Sequence, residues 1–278
     1  MNPASEGALA LHFLGVGNAH GAAHLGASAA VLEADGAPLL AMDCGPGMPA
    51  VFAQAYGGGL PEALFITHTH LDHIAGLENL FYRAWFADGP RRGVVRLYAP
   101  VTIVEALHRR LADPRFALAE GGVNFWDAFH LVPVSEGFWH AGRYFRVFPV
   151  RHHGVGSAWG LMLEGRFLYT GDTRPIPEVV ADLARAGETL FHDCCLTGNP
   201  SHTGLNDLAM HYRDGDLRRM VLYHYDSEAA AARMSAAGYR VARAGERYPL
   251  PLEPLDRSPR LLGSPLPVAG APRLVANG

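Results

Sequence analysis

The sequence predicts a four-layer αββα sandwich, an α/β fold in which two mixed β-sheets pack face to face and helices cover the outside. Apolar segments typical of strands cluster near the N-terminus and then alternate with helical segments, and this order repeats in two similar halves. The chain has 278 residues, of which 49% are hydrophobic. It is therefore long and apolar enough to bury the core of one large domain.

The first half opens on strands. An apolar segment at residues 8–14 ends at a Gly-x-Gly break, and segments 29–33 and 38–42 flank an Asp-Gly pair, which favours a hairpin turn. The apolar run 63–66 predicts a short buried strand. The other predicted elements of this half are helices at 48–56, 77–86 and 101–111 and a strand at 94–98.

The second half repeats the pattern. Gly165 separates two apolar segments and predicts a second hairpin. The predicted strands are residues 145–150, 161–164, 166–170, 189–192 and 219–223, with a helix at 205–212.

The most informative stretch is residues 67–73, Thr-His-Thr-His-Leu-Asp-His. It follows the apolar run 63–66 and precedes a helical pattern whose first turn holds an acidic residue, as the helix dipole favours. A turn between a strand and a helix can aim alternate side chains into one cleft. His68 and His70 would then bind one cation, and Asp72 and His73 a second, because imidazole and carboxylate groups are ligands of zinc and similar ions.

His-x-His-x-Asp-His is the signature of the metallo-β-lactamase superfamily, which this chain resembles from about Leu11 to Tyr225. The segment Phe-Leu-Gly-x-Gly at residues 13–17 is similar to the opening of the tRNA 3′-processing endonucleases and their cyclic-nucleotide phosphodiesterase relatives. The resemblance implies the αββα fold and a hydrolase with two divalent metal ions per chain. Zinc is the expected metal, and the same ligand types suit manganese or iron.

The resemblance also implies the remaining ligands. Asp172 lies in a Gly-Asp-Thr turn and would bridge both ions, and His224 ends the last predicted inner strand. Of the neighbours His152 and His153, the spacing to Ser157 favours His153. The implied ligands are His68, His70, His153 and Asp172 for one ion, and Asp72, His73, His224 and Asp172 for the other.

Asp43 follows a buried strand and precedes a Gly turn. In the resembled superfamily, an aspartate in this position orients a metal-binding histidine. An aspartate that caps the turn is an equally good interpretation of the sequence alone.

The candidate catalytic residues are Asp72, His202 and Asp193. Phe-His-Asp-Cys at residues 191–194, followed by Pro-Ser-His-Thr at 200–203, resembles a pairing in the phosphodiesterase branch, in which an acidic residue holds a histidine. A histidine held in this way is a good general acid for an alkoxide leaving group. The alternative is that His202 only enters the predicted helix at 205–212 and has no catalytic role.

The predicted function is that of a metal-dependent phosphodiesterase acting on a small phosphodiester, such as a cyclic nucleotide. A metal-bridging hydroxide would attack phosphorus and His202 would protonate the leaving oxygen. The alternative is a lactonase or thioesterase type of carbon-ester hydrolase on the same scaffold. A tRNA substrate is less expected, because the net charge is −4, the chain contains no lysine, and phosphate contacts dominate nucleic-acid affinity.

Other features limit location and partners. The sequence shows neither a secretory signal nor a run that could span a membrane, and its three cysteines do not suggest a disulfide framework, so a cytoplasmic enzyme without a membrane partner is expected. A homodimer is expected only by analogy with the resembled proteins. The hydrolase domain is predicted at 1–248. Residues 249–278 contain seven prolines and are predicted to form a separate tail. The tail is expected either to lie along the surface or be disordered, or to reach a partner subunit or cover the mouth of the site.

Overall fold

A computed structural model describes residues 7–86, 95–184 and 187–251. In the first of two seven-stranded sheets the strand order is β14-β1-β2-β3-β4-β5-β6. Its strands are β1 (Leu9–Gly15), β2 (Ala29–Ala34), β3 (Ala37–Met42), β4 (Ala63–Phe65), β5 (Val95–Pro100), β6 (Phe129–Val134) and β14 (Arg247–Pro249). Strands β3 to β6 are parallel, and the others are antiparallel to their neighbours.

The second sheet has the order β13-β12-β11-β10-β9-β8-β7. Its strands are β7 (Gly137–His140), β8 (Arg143–Pro149), β9 (Trp159–Leu163), β10 (Phe167–Tyr169), β11 (Thr189–Asp193), β12 (Met220–Tyr223) and β13 (Arg240–Val241). Strands β10 to β13 are parallel, whereas β7 to β10 alternate in direction. Both sheets are therefore mixed, as the sequence predicted.

Helices connect the strands. They are α1 (Ala22–Leu25), α2 (Met48–Ala55), α3 (Leu71–Ile74), α4 (Gly76–Trp85), α5 (Val104–Leu111), α6 (Pro177–Leu183), α7 (Leu205–His211), α8 (Asp214–Leu217) and α9 (Glu228–Ala236). The predicted helix at 101–111 begins with a 3-10 turn at Val101–Ile103. Among the described residues, no helix is long and apolar enough to cross a membrane.

The core has two layers, one on each side of the first sheet, and strand β4 contributes to both. Leu64 points towards helices α2, α4 and α5, where it joins Phe52 and Leu80, whereas Phe65 points between the sheets and joins Phe145 and other aromatic residues. Successive side chains of a strand face opposite sides, so this three-residue strand contributes to both layers. The two packed layers confirm the predicted sandwich.

Strand direction brings the functional segments together. The chain leaves the carboxyl ends of β3 and β4 in one sheet, and of β8, β10, β11 and β12 in the other, along one edge of the molecule. Trp159 N donates to Thr67 O over 3.0 Å and links the two sheets beside the histidine motif. Ligand sites form at such carboxyl ends in parallel sheets.

Strand β14 includes the first residue of the predicted tail. Pro249, its predicted first residue, pairs with Ala10 as part of β14, and Leu250 is buried. The first sheet therefore extends past the predicted domain boundary at 248. The rest of the predicted tail, from residue 252, lies outside the described residues, and the division into domain and tail stays a prediction.

Candidate metal centre

The histidine motif forms the turn between β4 and α3. His70 has an extended backbone at the N-terminal cap of α3, and Asp72 lies in the first helical turn. This places the acidic side chain at the positive end of the helix dipole. His68 and His73 are buried, and their ring centroids are 4.1 Å apart. The local structure is the strand, turn and helix that the sequence predicted.

Among the described residues, three groups of side chains around Asp172 could hold a cation, and two of them include residues of this turn; the third consists of Asp172, Asp193, His202 and His224. His68, His70, His152 and Asp172 form one group, and Asp72, His73, Asp172 and His224 form the second. In each group the ligand atoms lie within 4.8 Å of one another, and Asp172 belongs to both. The structure thus brings six of the seven sequence-predicted metal ligands together and replaces the seventh.

Asp172 occupies the centre. Its Oδ2 lies 3.2 Å from His73 Nε2, and its Oδ1 lies 3.2 Å from His224 Nε2. His68 Nε2 is 3.5 Å from Oδ2. One carboxylate therefore presents an oxygen to both groups, the arrangement expected of a ligand that bridges two cations.

The buried polar atoms test whether a cation fits. Within the described residues, no hydrogen bond reaches Nε2 of His68, His73 or His224, or Oδ1 of Asp172. Leaving such atoms unsatisfied costs about 1–3 kcal/mol each, and each of the three imidazole nitrogens lies within 3.5 Å of an oxygen of Asp172. Divalent cations would satisfy them together, and neutral imidazole with carboxylate is the donor set that zinc prefers.

The two neighbouring histidines differ in their contacts with the candidate ligands. His152 is 2% exposed, its Nδ1 lies 2.9 Å from Ser201 O, and its Nε2 lies 3.1 Å from His70 Nδ1. The predicted His153 is exposed and belongs to neither ligand group, although its ring centroid is 4.8 Å from that of His70. The geometry therefore groups His152, and not the predicted His153, with the candidate ligands.

A tight turn at residues 154–157, which the sequence spacing does not reveal, follows the two histidines. Ser157 N and Oγ both donate to Gly154 O, over 3.1 and 2.7 Å, and Gly156 has a φ of +72°. Because the chain folds back on itself here, the number of residues between Ser157 and each histidine does not show which ring faces the ligand groups.

Asp43 orients the buried motif histidine. Its Oδ2 accepts from His73 Nδ1 over 2.8 Å, and its Oδ1 accepts from Thr67 N over 2.8 Å. Asp43 has a φ of +61°, a conformation that costs free energy in a non-glycine residue. The bond to Nδ1 directs Nε2 of His73 at the ligand group, so the structure favours the orienting role over a turn cap.

The predicted pair of Asp193 and His202 is also formed. His202 Nδ1 lies 2.8 Å from Asp193 Oδ2, which also accepts from Thr173 N over 2.9 Å. The His202 ring centroid lies 4.8 Å from that of His152 and 5.0 Å from that of His224. The side chain is 21% exposed, so it lies at the border between the metal centre and solvent.

Burial and nearby carboxylates shift the pKa values of the clustered histidines in opposite directions. Burial lowers the pKa of His68 well below its usual value and that of His152 to about 4, so both are neutral at pH 7. Burial acts in the same direction on His224, but Asp172 and Asp193 outweigh it and raise its pKa to about 10. His224 would therefore give up a proton when a cation binds there.

Sequence reasoning missed several residues that hold the ligands. Thr67 Oγ1 lies 3.0 Å from His68 Nδ1, Ser201 supplies the carbonyl that holds His152, and Thr173 donates to Asp193. Thr67 and Thr173 directly adjoin predicted ligands, so adjacency was a usable signal. Ser201 likewise adjoins the candidate His202, but its contact with His152 crosses from one strand-end loop to another and was not foreseen.

Comparison with known proteins identifies sequence relatives of this chain. The family described as Anti-Pycsar protein Apyc1 matches residues 9–248. The Anti-Pycsar protein Apyc1 of Paenibacillus harenae is 29% identical over 79% of this chain and 91% of its own. Ribonuclease Z of Haloferax volcanii is 29% identical over 79% of this chain and 85% of its own.

A solved structure shows the same architecture. The metallo-β-lactamase fold protein YhfI of Bacillus subtilis superimposes with a TM-score of 0.66 over 87% of this chain and 99% of its own, at 12% identity. At that identity the likeness concerns the fold alone. The sequence relatives and this likeness together confirm the resemblance to the metallo-β-lactamase superfamily. The chain is a hydrolase of that fold.

Proposed function

The chain belongs to the Anti-Pycsar protein Apyc1 family, and from this premise we propose that it is a dinuclear metal-dependent phosphodiesterase acting on a small phosphodiester such as a cyclic nucleotide. The observation that carries the proposal is the position of His202. Its Nδ1 is held by Asp193, and its ring lies against His152 and His224, one from each ligand group. A proton donor beside two cation sites is what cleavage of a phosphate ester needs.

The ligand groups would hold two divalent ions, most suitably zinc, with His152 in place of the predicted His153. When bound, such ions supply a nucleophile from water at neutral pH and neutralise charge on phosphoryl oxygens. The chain itself fixes where they can bind. Asp172 is fully enclosed between the groups, and Asp43 holds His73 in the orientation that ligation requires.

His202 provides the proton for the leaving oxygen. Burial lowers its pKa, but the hydrogen bond and charge of Asp193 outweigh burial and raise the pKa above the usual value. The cationic ring is therefore populated at a higher pH than for a free histidine. Because Nδ1 is engaged with Asp193, Nε2 is the nitrogen that can pass its proton to the alkoxide leaving group.

The substrate is inferred to be small. The net charge is −4 and the chain has no lysine, whereas binding of a large nucleic acid depends on many cationic contacts to phosphate. The sequence also resembles the cyclic-nucleotide phosphodiesterase branch at residues 13–17. A tRNA substrate, which the ribonuclease Z relative would suggest, is the less favoured choice.

A substrate panel tests the reaction class. Zinc-loaded protein is assayed with cyclic nucleotides, bis-p-nitrophenyl phosphate, a lactone and a thioester, and we expect turnover of the phosphodiesters. Preferential hydrolysis of the lactone or thioester would contradict the proposal and support the carbon-ester alternative.

The variant His202→Ala tests the proton donor. We expect cyclic-nucleotide turnover to fall by about 10²–10⁴-fold, with zinc content unchanged. The loss should be much smaller with bis-p-nitrophenyl phosphate, because its weakly basic leaving group needs little protonation. His211→Ala, which removes an exposed histidine at the end of α7, is the matched control. Equal losses on both substrates would exclude the acid role.

A further inference from the structure

Asp193 contacts a second histidine besides His202. Its Oδ1 lies 3.3 Å from Nδ1 of His224, while Oδ2 accepts from His202. The Oδ1 contact is close without being a well-aligned hydrogen bond, and within the described residues no hydrogen bond reaches Oδ1. One oxygen of this fully buried carboxylate thus contacts the candidate proton donor, and the other contacts a candidate metal ligand.

The sheet enforces this arrangement. Asp193 ends β11 and pairs in parallel register with Tyr223, the residue before His224. Cys194 N donates to Tyr223 O over 2.9 Å, which fixes the two strand ends beside each other. His224 then turns back with a φ of +68°, and its N donates to Val16 O over 2.8 Å. These contacts fix the backbone of His224 beside the end of β11.

We propose that Asp193 is a shared positioning residue, which orients His224 for metal binding as well as His202 for proton donation. A carboxylate on Nδ1 of a histidine fixes the tautomer that leaves Nε2 free to bind a cation. Asp43 does the same for His73 on the other side of the same ligand group. The inference rests on the proposed function for His202 but not for His224, whose part concerns metal affinity alone.

The variant Asp193→Asn separates the two roles. Thr173 N and His202 Nδ1 both direct donors at Oδ2, so the amide oxygen of the asparagine is preferred there. The amide NH₂ then faces Nδ1 of His224. Two donors cannot pair, so the ring must take the tautomer with hydrogen on Nε2, which cannot bind a cation.

The experiment measures zinc affinity by competition with a chromogenic chelator, without any substrate. We expect Asp193→Asn to bind one of two zinc ions about 10–100-fold more weakly than the wild type, the usual effect of losing a partner of a ligating histidine. His202→Ala should retain wild-type affinity, and Asp43→Asn should weaken binding as Asp193→Asn does. Asp193→Glu keeps two acceptor oxygens and should bind more tightly than Asp193→Asn, which guards against misreading a folding defect.

Wild-type zinc affinity in a folded Asp193→Asn would overturn the shared role and leave Asp193 as a partner of His202 only. A protein that binds two zinc ions but hydrolyses no phosphodiester would instead overturn the proposed function, while the zinc result for Asp193 would stand. The two failures are therefore distinguishable.

Discussion

At the residue scale, the metal centre depends on pairs of side chains in which one group binds and another aims it. His73 has Asp43, His152 has the carbonyl of Ser201, and His68 has the hydroxyl of Thr67. Each partner engages the ring nitrogen that faces away from the ligand group. A histidine that lies near the metal centre but lacks such a partner need not be a metal ligand.

His152 and His153 provide a direct test of this principle. We expect His152→Ala to lower the zinc content of purified protein by about half, because it removes a ligand of one of two ions. His153→Ala should retain the wild-type zinc content, because its exposed ring belongs to neither ligand group. Elemental analysis of the two variants, purified side by side, gives the answer. Loss of zinc from His153→Ala alone would restore the sequence-based choice.

At the element scale, close packing between backbone segments fixes the motif turn. The segment between β3 and α2 passes directly over α3, and Gly76 N donates to Cys44 O over 2.8 Å. A Cβ atom on Gly45 would lie 1.9 Å from Asp72 O and 2.5 Å from Ala27 Cβ. Glycine is therefore required at residue 45 to let the two segments approach.

The variant Gly45→Ala should lower the free energy of unfolding by about 1–3 kcal/mol, the cost of overpacking a buried site. Gly215→Ala in α8 is the control, since nothing lies within 4 Å of its added Cβ and its φ is not positive. Alanine there should be neutral or stabilising, by up to about 1 kcal/mol. Urea denaturation of the zinc-free proteins measures both. Equal stabilities of Gly45→Ala and the wild type would refute the close approach.

The strands also show how much of the fold could be predicted from the sequence. Buried inner strands such as β2, β3 and β11 were predicted to within a few residues, because both faces are covered and their runs are apolar. Strands β6 and β7 were missed because each is at the edge of its sheet and partly exposed, and β6 contains Pro133. Their alternation is too weak to distinguish from a loop.

The site was predictable to the extent that it follows strand ends. Asp193 ends β11, His224 directly follows β12, and Asp172 comes three residues after β10, so the sequence could place these candidates near strand ends. The contact between Asp193 and His224 was not foreseen, since it depends on the register of β11 and β12 and on the positive φ of His224. Register and backbone conformation are tertiary properties, and no motif spacing encodes them.

At the scale of the whole molecule, a partly buried polar cluster on the first sheet links the last described strand to the first ones. Glu33 on β2 accepts from Tyr56 Oη over 2.6 Å and from Arg247 Nε, on β14, over 2.9 Å. His12 on β1 donates from Nδ1 to Tyr56 Oη over 2.8 Å. Residues more than 200 positions apart in sequence thus share one carboxylate, which makes the stability of this sheet sensitive to charge.

This cluster predicts a specific pH dependence. Burial lowers the pKa of His12, Arg247 lowers it further, and the opposing attraction of Glu33 is outweighed; Tyr56 is the other titratable group that faces the ring. In the window below the unfolded-state pKa of about 6.5, the unfolded chain therefore binds more protons at this residue than the folded one. The contribution of neutral His12 is complete above that value and is lost as the pH falls below it.

We accordingly expect the unfolding free energy of the wild type to fall more steeply than that of His12→Asn between about pH 7.5 and pH 5. The metal ligands titrate in both proteins alike, so their contribution cancels in the difference between the two curves. Urea denaturation of zinc-free protein at several pH values measures that difference. Parallel curves would mean that His12 is not held neutral by the fold, and a steeper curve for the variant would reverse the assigned direction of its pKa shift.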